Sequence, residues 1–119
     1  MADMIAICDK ETIFVQILSD YLRKKFKTGL EVQAFDCIEK FLAFTKEQKP
    51  SLCLVGEGML DSYQLQELIS FAEHMVFLSG KRKKGSVFKY QSVERVCKDL
   101  LKFCANENIS VLQDTEYLL

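Results

Sequence analysis

Gly56-Glu57 stands at the carboxyl end of Leu52-Cys53-Leu54-Val55, an apolar run that begins just after Pro50. A run of that length, bounded by a proline and a glycine, predicts a short strand buried on both faces, as in the middle of a parallel sheet. In open α/β folds the functional crevice lies beyond the carboxyl ends of such strands. Four strand ends carry residues that could meet there: Cys8 and Asp9, Gly56 and Glu57, Ser79, and Lys89. A carboxylate in that place could act as a nucleophile or as a hard oxygen ligand for a divalent ion. Glycine at 56 has no side chain to react, and strand alternation turns the Glu57 carboxylate elsewhere. Asp9 also has a structural use as a helix cap, and Lys89 as its ion-pair partner.

Other chemistry is sparse. Lys81-Arg82-Lys83-Lys84, between Gly80 and Gly85, could attract phosphate or anionic lipid, and a solvated loop carries the same composition. No aromatic residue interleaves the run, which argues against single-stranded nucleic acid, and the net charge of -1 gives no global attraction to it. Cys8, Cys37, Cys53, Cys97 and Cys104 form no CxxC pair, and most sit in apolar runs, as buried thiols of a reducing cytosol do. The single His74 has no companion ligand. No GxSxG, GxxxxGK[ST] or glycine-rich cofactor loop occurs. The expectation is a protein that is not an enzyme, with no cofactor and no metal.

Positioning these residues requires a particular order of elements. The 119 residues, 49% apolar and 28% charged, suit one globular domain. Met4 to Cys8 reads as a first buried strand. A helix follows, with Ile13, Phe14, Ile17, Leu18, Tyr21, Leu22 and Phe26 spaced three and four apart. Leu30 to Phe35 alternates apolar and polar, as on an edge strand. Asp36 and Glu39 predict a capping box for a second helix, and Asp61 or Ser62 a cap for a third. Met75 to Leu78 and Val87 to Tyr90 read as the last two strands. Ser92 opens a helix with the stripe Val93, Val96, Cys97, Leu100, Leu101 and Cys104. The predicted fold is α/β: a five-stranded doubly wound sheet, order 2-1-3-4-5, which puts the alternating strand at an edge. Residues 1–105 are expected to form the domain and 106–119 a tail or the start of a linker.

Over about Met4 to Cys104, this order and its strand ends resemble the receiver domain of bacterial response regulators. The resemblance implies two acidic residues at Cys8 and Asp9, a phosphate-accepting aspartate at Gly56, a Ser or Thr at Ser79 and a lysine at Lys89. Asp9, Ser79 and Lys89 match; Cys8 and Gly56 do not, and the missing groups are the acceptor and one acid. Only eight residues, Ser79 to Ser86, join Leu78 to Val87, too few for a helical crossover. The receiver's fourth helix is therefore expected to be missing or reduced to a loop or one helical turn, and the last two strands are either parallel or a hairpin, the match of Lys89 favouring the former. A degenerate receiver without that helix looks like the N-terminal atypical receiver domain of tight-adherence pilus-assembly proteins (the TadZ/CpaE group), where it precedes a MinD-like ATPase and serves localisation and self-association. The expected function is a non-catalytic interaction and dimerisation module. The alternatives are a phosphorylatable receiver and anionic-surface binding through the basic loop.

A missing helix uncovers part of one sheet face. Either Met75 and Phe77 or Val76 and Leu78 would line the gap, with Val87 or Phe88. A second copy is the expected cover, making the partner a homodimer. Folding back of the tail through Ile109, Val111, Leu112, Tyr117, Leu118 and Leu119 is the other. A further protein partner is expected, of an identity the residues do not name. The amino terminus has no signal-peptide pattern and no stretch long enough to span a membrane, so the expected location is cytoplasmic.

Overall fold

The computed structural model of the protein describes residues 3–26 and 29–112. In chain order the elements are β1 (Asp3–Cys8), α1 (Thr12–Lys25), β2 (Leu30–Phe35), α2 (Ile38–Gln48), β3 (Leu52–Gly56), α3 (Ser62–Phe71), β4 (Met75–Ser79), β5 (Ser86–Phe88) and α4 (Val93–Asn106). The five strands are all parallel, in the order β2-β1-β3-β4-β5. β3 is buried along its whole length at the centre, while alternating β2 takes an edge. This is the predicted doubly wound sheet.

Strand alternation divides the core in two. Ile5, Ile7, Leu52, Leu54, Val76, Leu78 and Val87 face α1 and α4, where they meet Leu18, Leu22, Val96 and Leu100. Ala6, Cys8, Cys53 and Val55 face α2 and α3, where they meet Phe41 and Leu68. The α4 stripe packs as its spacing requires, with Val96, Cys97, Leu100, Leu101 and Cys104 buried. All five cysteines are free thiols.

Two local expectations need correction, and a third holds. α1 buries Val15, Leu18, Ser19 and Leu22, and leaves Ile13 and Ile17 exposed. Its apolar residues cover a wider arc than the sheet can hide, so those at one margin face solvent. α2 is preceded by Cys37 as its N-cap, with no side-chain cap bond, so the Asp36 capping box does not form. α3 does carry a box, Asp61 accepting from the Gln64 amide at 2.7 Å and Gln64 answering to the Asp61 amide at 3.0 Å.

β4 and β5 are parallel, joined by Gly80–Gly85 without a helix. The register explains how so short a link suffices. Ser86 pairs with Phe77, so β5 begins only two residues below the end of β4, and it is three residues long. The chain has to descend only about 7 Å, two residues of strand rise, before pairing resumes. Met75 and Phe77 are on the face of the gap left by the missing helix and pack against the buried α2/α3 cluster, as Met59, Leu60 and Ala72 do. Val76, Leu78 and Val87 point the other way into the α1/α4 core and cannot belong to that face. Met75, Phe77 and Phe88 are half-buried, and the Arg82 guanidinium lies over the Phe88 ring at 4.4 Å, so the gap is narrower than the sequence suggests. The tail is not its lid within the described residues. Ile109 and Leu112 are buried on the α1/α4 side with Val111 against them, so the packed unit runs on past 105 to Leu112. Tyr117, Leu118 and Leu119 lie outside the described residues.

Candidate functional site

Asp9 and Lys89, eighty residues apart, meet at the carboxyl end of the sheet because β1 and β5 deliver their ends to the same edge. The Asp9 amide donates to the Phe35 carbonyl at 3.3 Å, and its carboxylate accepts from the Glu11 amide at 2.9 Å. Lys89 is held by its own amide, which donates to the Ser79 carbonyl at 2.9 Å and extends the β4–β5 ladder by one step. The Lys89 ammonium then donates to both Asp9 oxygens, at 3.2 and 3.0 Å, and reaches Glu11 Oε1 at 3.0 Å. Asp9 is 1% exposed and Lys89 8%. Tyr90 donates its hydroxyl to the same Glu11 oxygen. Its ring lies so close to Gly80 that a Cβ there would come within 2.9 Å of Tyr90 Cε2. Sequence reasoning identified Asp9, Ser79 and Lys89 and overlooked Glu11 and Tyr90. The available signal was adjacency: Glu11 follows Asp9 by two residues, and Tyr90 follows Lys89.

Gly56 takes its meaning from Asp9. A Cβ built on Gly56 would lie 2.5 Å from Asp9 Oδ2 and 2.8 Å from its Cγ, distances that no real contact shows. The Asp9 carboxylate therefore occupies the space into which any residue-56 side chain would grow. Glu57, the next residue, pairs with Lys83 at 2.5 Å on the surface, away from this pocket. The Ser79 hydroxyl is buried and accepts from the Lys81 amide at 3.1 Å. Cys8 points into the α2/α3 core, where burial first and the Asp9 charge second push its thiol up to about 12. Of the expected set, the structure brings Asp9 and Lys89 together beside Gly56, and turns Cys8 and Glu57 away.

With two carboxylates and one ammonium, the cluster carries one excess negative charge. Burial pushes the Lys89 ammonium down, but the hydrogen bonds and charges of Asp9 and Glu11 outweigh it and hold it raised above its ordinary value of 10.5. Glu11 is lowered below the usual carboxylate range, chiefly by the Tyr90 hydroxyl and then by Lys89. The linkage has opposite signs at the two ends of the pH scale. The Lys89 contribution is complete below the unfolded lysine value and is lost as pH rises through the raised folded one. The Glu11 contribution is present above the unfolded carboxylate value and is lost as pH falls through the lowered one. Urea unfolding followed from pH 6 to 11.5 should show a plateau and then a decline above pH ~10.4. Lys89→Met should flatten that alkaline decline.

These residues do not fit a divalent ion. A hard cation requires several oxygen ligands around one point. Here the Lys89 ammonium already stands between Asp9 and Glu11, Gly56 supplies no oxygen, and the Cys8 thiol faces apolar side chains. Among the described residues no group of three or more His, Cys, Asp or Glu side chains could hold a metal. The basic loop is also partly committed, Lys83 to Glu57 and Arg82 to the Phe88 ring.

No protein family's sequence pattern matches the chain, and no curated protein does either. Solved structures do match. A CheY-like response-regulator receiver domain from Methanospirillum hungatei JF-1 is 14% identical, with 91% of this chain and 98% of that one covered at a TM-score of 0.70. The signal receiver domain of the response regulator NarL from Mycobacterium tuberculosis is 15% identical, with 87% and 97% covered at 0.63. A Burkholderia pseudomallei response regulator, solved with a phosphorylated aspartic acid and a calcium ion, is 14% identical, with 89% and 75% covered at 0.59. At these identities the likeness is one of architecture: the chain has the fold of a response-regulator receiver domain.

Proposed function

We propose that this chain is a receiver-like module that takes no phosphoryl group and works by docking, to itself and to a protein partner. The observation that carries the reading is the position of Asp9. Its carboxylate fills the space beside Gly56 and is neutralised there by Lys89, so the pocket has neither an acceptor side chain nor room for one. A pocket closed by its own side chains has no reacting group to respond to a phosphoryl donor, which leaves surface recognition as the use of the fold.

The narrower reading, a localisation module like the N-terminal domain of TadZ/CpaE-type pilus-assembly proteins, is supported by the helix-free β4–β5 link together with the degenerate pocket. A phosphate-loop ATPase encoded directly downstream would support it, and an unrelated downstream domain would remove it.

The test of the main reading is amide NMR with magnesium and beryllofluoride, which mimics a phosphoryl group on an acceptor carboxylate. The expected result is no shift at Asp9, Gly56, Ser79 or Lys89 when both are added. Saturable shifts at those amides would reject the reading.

A further inference from the structure

Each crossover helix of a parallel sheet lies over the strands it joins, so α2 and α3 stand side by side and the gap lies beyond α3, over β4 and β5. The floor of that gap is apolar. Met75 and Phe77 of β4 are half-buried there, and Phe88 of β5 points the same way, because its neighbour Val87 is in the α1/α4 core. The α3 wall is apolar too. Lys46 of α2 lies over the Phe71 ring, so that flank of α3 faces α2. Ile69, about 200° round the helix from Phe71, is on the opposite flank, beside the gap, and is 59% exposed. The end of the gap at the carboxyl ends of the strands is basic. There the Gly80–Gly85 link crosses with Arg82 over the Phe88 ring and Lys83 paired with Glu57, tied to β5 on one side and to the end of β3 on the other.

Charge and shape together indicate the occupant. Lys81, Arg82 and Lys84 are exposed and make no ion pair among the described residues. The carboxylates that follow β3 are committed, Glu57 to Lys83 and Asp61 to the Gln64 amide in the cap of α3. The five residues of β4 rise about 17 Å, the length of about three turns of helix. We propose that this trough receives an amphipathic helix of a protein partner, its apolar stripe on Met75, Phe77 and Ile69 and its acidic residues against the basic link. The negative end of a helix is its carboxyl end, so the acidic turn is the last one and the partner helix runs in the direction of the strands. A second copy of this chain is a poorer fit. Turned end for end, it would bring Glu73, one carboxylate already 3.8 Å from His74, to three unpaired cations, and side by side it would set link against link. An anionic bilayer would meet the same cations, but a flat surface does not reach a floor half-buried beside a helix.

This inference rests on the docking reading and names the chemistry of the partner. Amide NMR of the full chain tests it, by titration with a synthetic amphipathic peptide of about 14 residues, with leucines at i, i+3, i+4 and i+7 and glutamates in its last turn. The expected result is saturable binding that shifts the amides of Ile69, Phe77 and Phe88 and of residues 81–84. Lys81→Glu with Lys84→Glu should weaken it about tenfold or more, and Ile69→Glu about tenfold. The same peptide with lysine in place of each glutamate should not bind. No saturable binding, equal binding of the lysine peptide, shifts confined to α1, or unchanged affinity in both variants would overturn the assignment. So would retention on phosphatidylserine vesicles by a chain that ignores the peptide. Both variants change exposed side chains, and circular dichroism of each checks that the fold is intact. These results are independent of the pocket. A chain silent to both the peptide and beryllofluoride loses only the trough, and a chain that answers to both keeps the trough and loses the closed pocket.

Discussion

Lys89→Met is expected to destabilise the fold by about 3–5 kcal/mol, the usual consequence of leaving a buried charge without its partner. Methionine fills the volume of the lysine stem, so the loss isolates the charge. The Asp9 carboxylate, 1% exposed, would keep only its bond from the Glu11 amide. In a domain of this size the melting temperature should fall by about 10–20 °C. The converse variant, Asp9→Leu with Lys89→Met, should recover most of that loss, because removing both charges removes both desolvation penalties. A double variant as unstable as the sum of its parts would show that the two residues act independently, contrary to the 3.0 and 3.2 Å contacts between them.

Gly56→Ala carries the second large effect. Most glycine substitutions are judged by backbone conformation, yet Gly56 ends a regular strand and is absent from the positive-φ residues. Here the added methyl itself is the problem, since it would lie 2.5 Å from Asp9 Oδ2, which Lys89 holds in place while the Glu11 amide holds the other carboxylate oxygen. Overpacking of this kind costs about 1–3 kcal/mol. The cost should shrink sharply in an Asp9→Ala background, where the offending oxygens are gone. Chemical unfolding of the four proteins of that cycle checks it, and an equal cost in both backgrounds would mean that Asp9 is not what excludes the methyl. Installing the absent acceptor as Gly56→Asp should be worse than Gly56→Ala, because it adds a second carboxylate to a pocket with one ammonium.

The strand order, the edge position of Leu30–Phe35 and the meeting of Asp9 with Lys89 were legible in the sequence, because strand periodicity and the carboxyl-end rule are local signals. The use of Gly56 was only half legible. Its lack of a reacting group could be read from its type, whereas the reason it must stay small depends on an Asp9 rotamer set by a lysine eighty residues away. Glu11 and Tyr90 were missed for the same cause: their bond joins the N-cap of α1 to the loop after β5. Ile13 and Ile17 read as core because their spacing is helical, and spacing does not say which margin of a wide apolar arc the sheet will cover. The helix-free parallel link from β4 to β5 depended on stagger, which no single strand reveals.

These observations separate two properties that a receiver-like sequence pattern runs together. The sheet and its crossovers belong to the architecture, which this chain shares with receiver domains. On the reading proposed above, the reactive carboxylate and the hard oxygen set belong to the chemistry, and the ion pair of Asp9 and Lys89, which ties β1 to β5, takes their place. Whether that substitution is complete is decided by one measurement. The intact chain is incubated with acetyl phosphate and magnesium at neutral pH and weighed by mass spectrometry before and after hydroxylamine. The account predicts an unchanged mass. A gain of one phosphoryl group that hydroxylamine removes, mapped to Asp9 or Glu57, would contradict it.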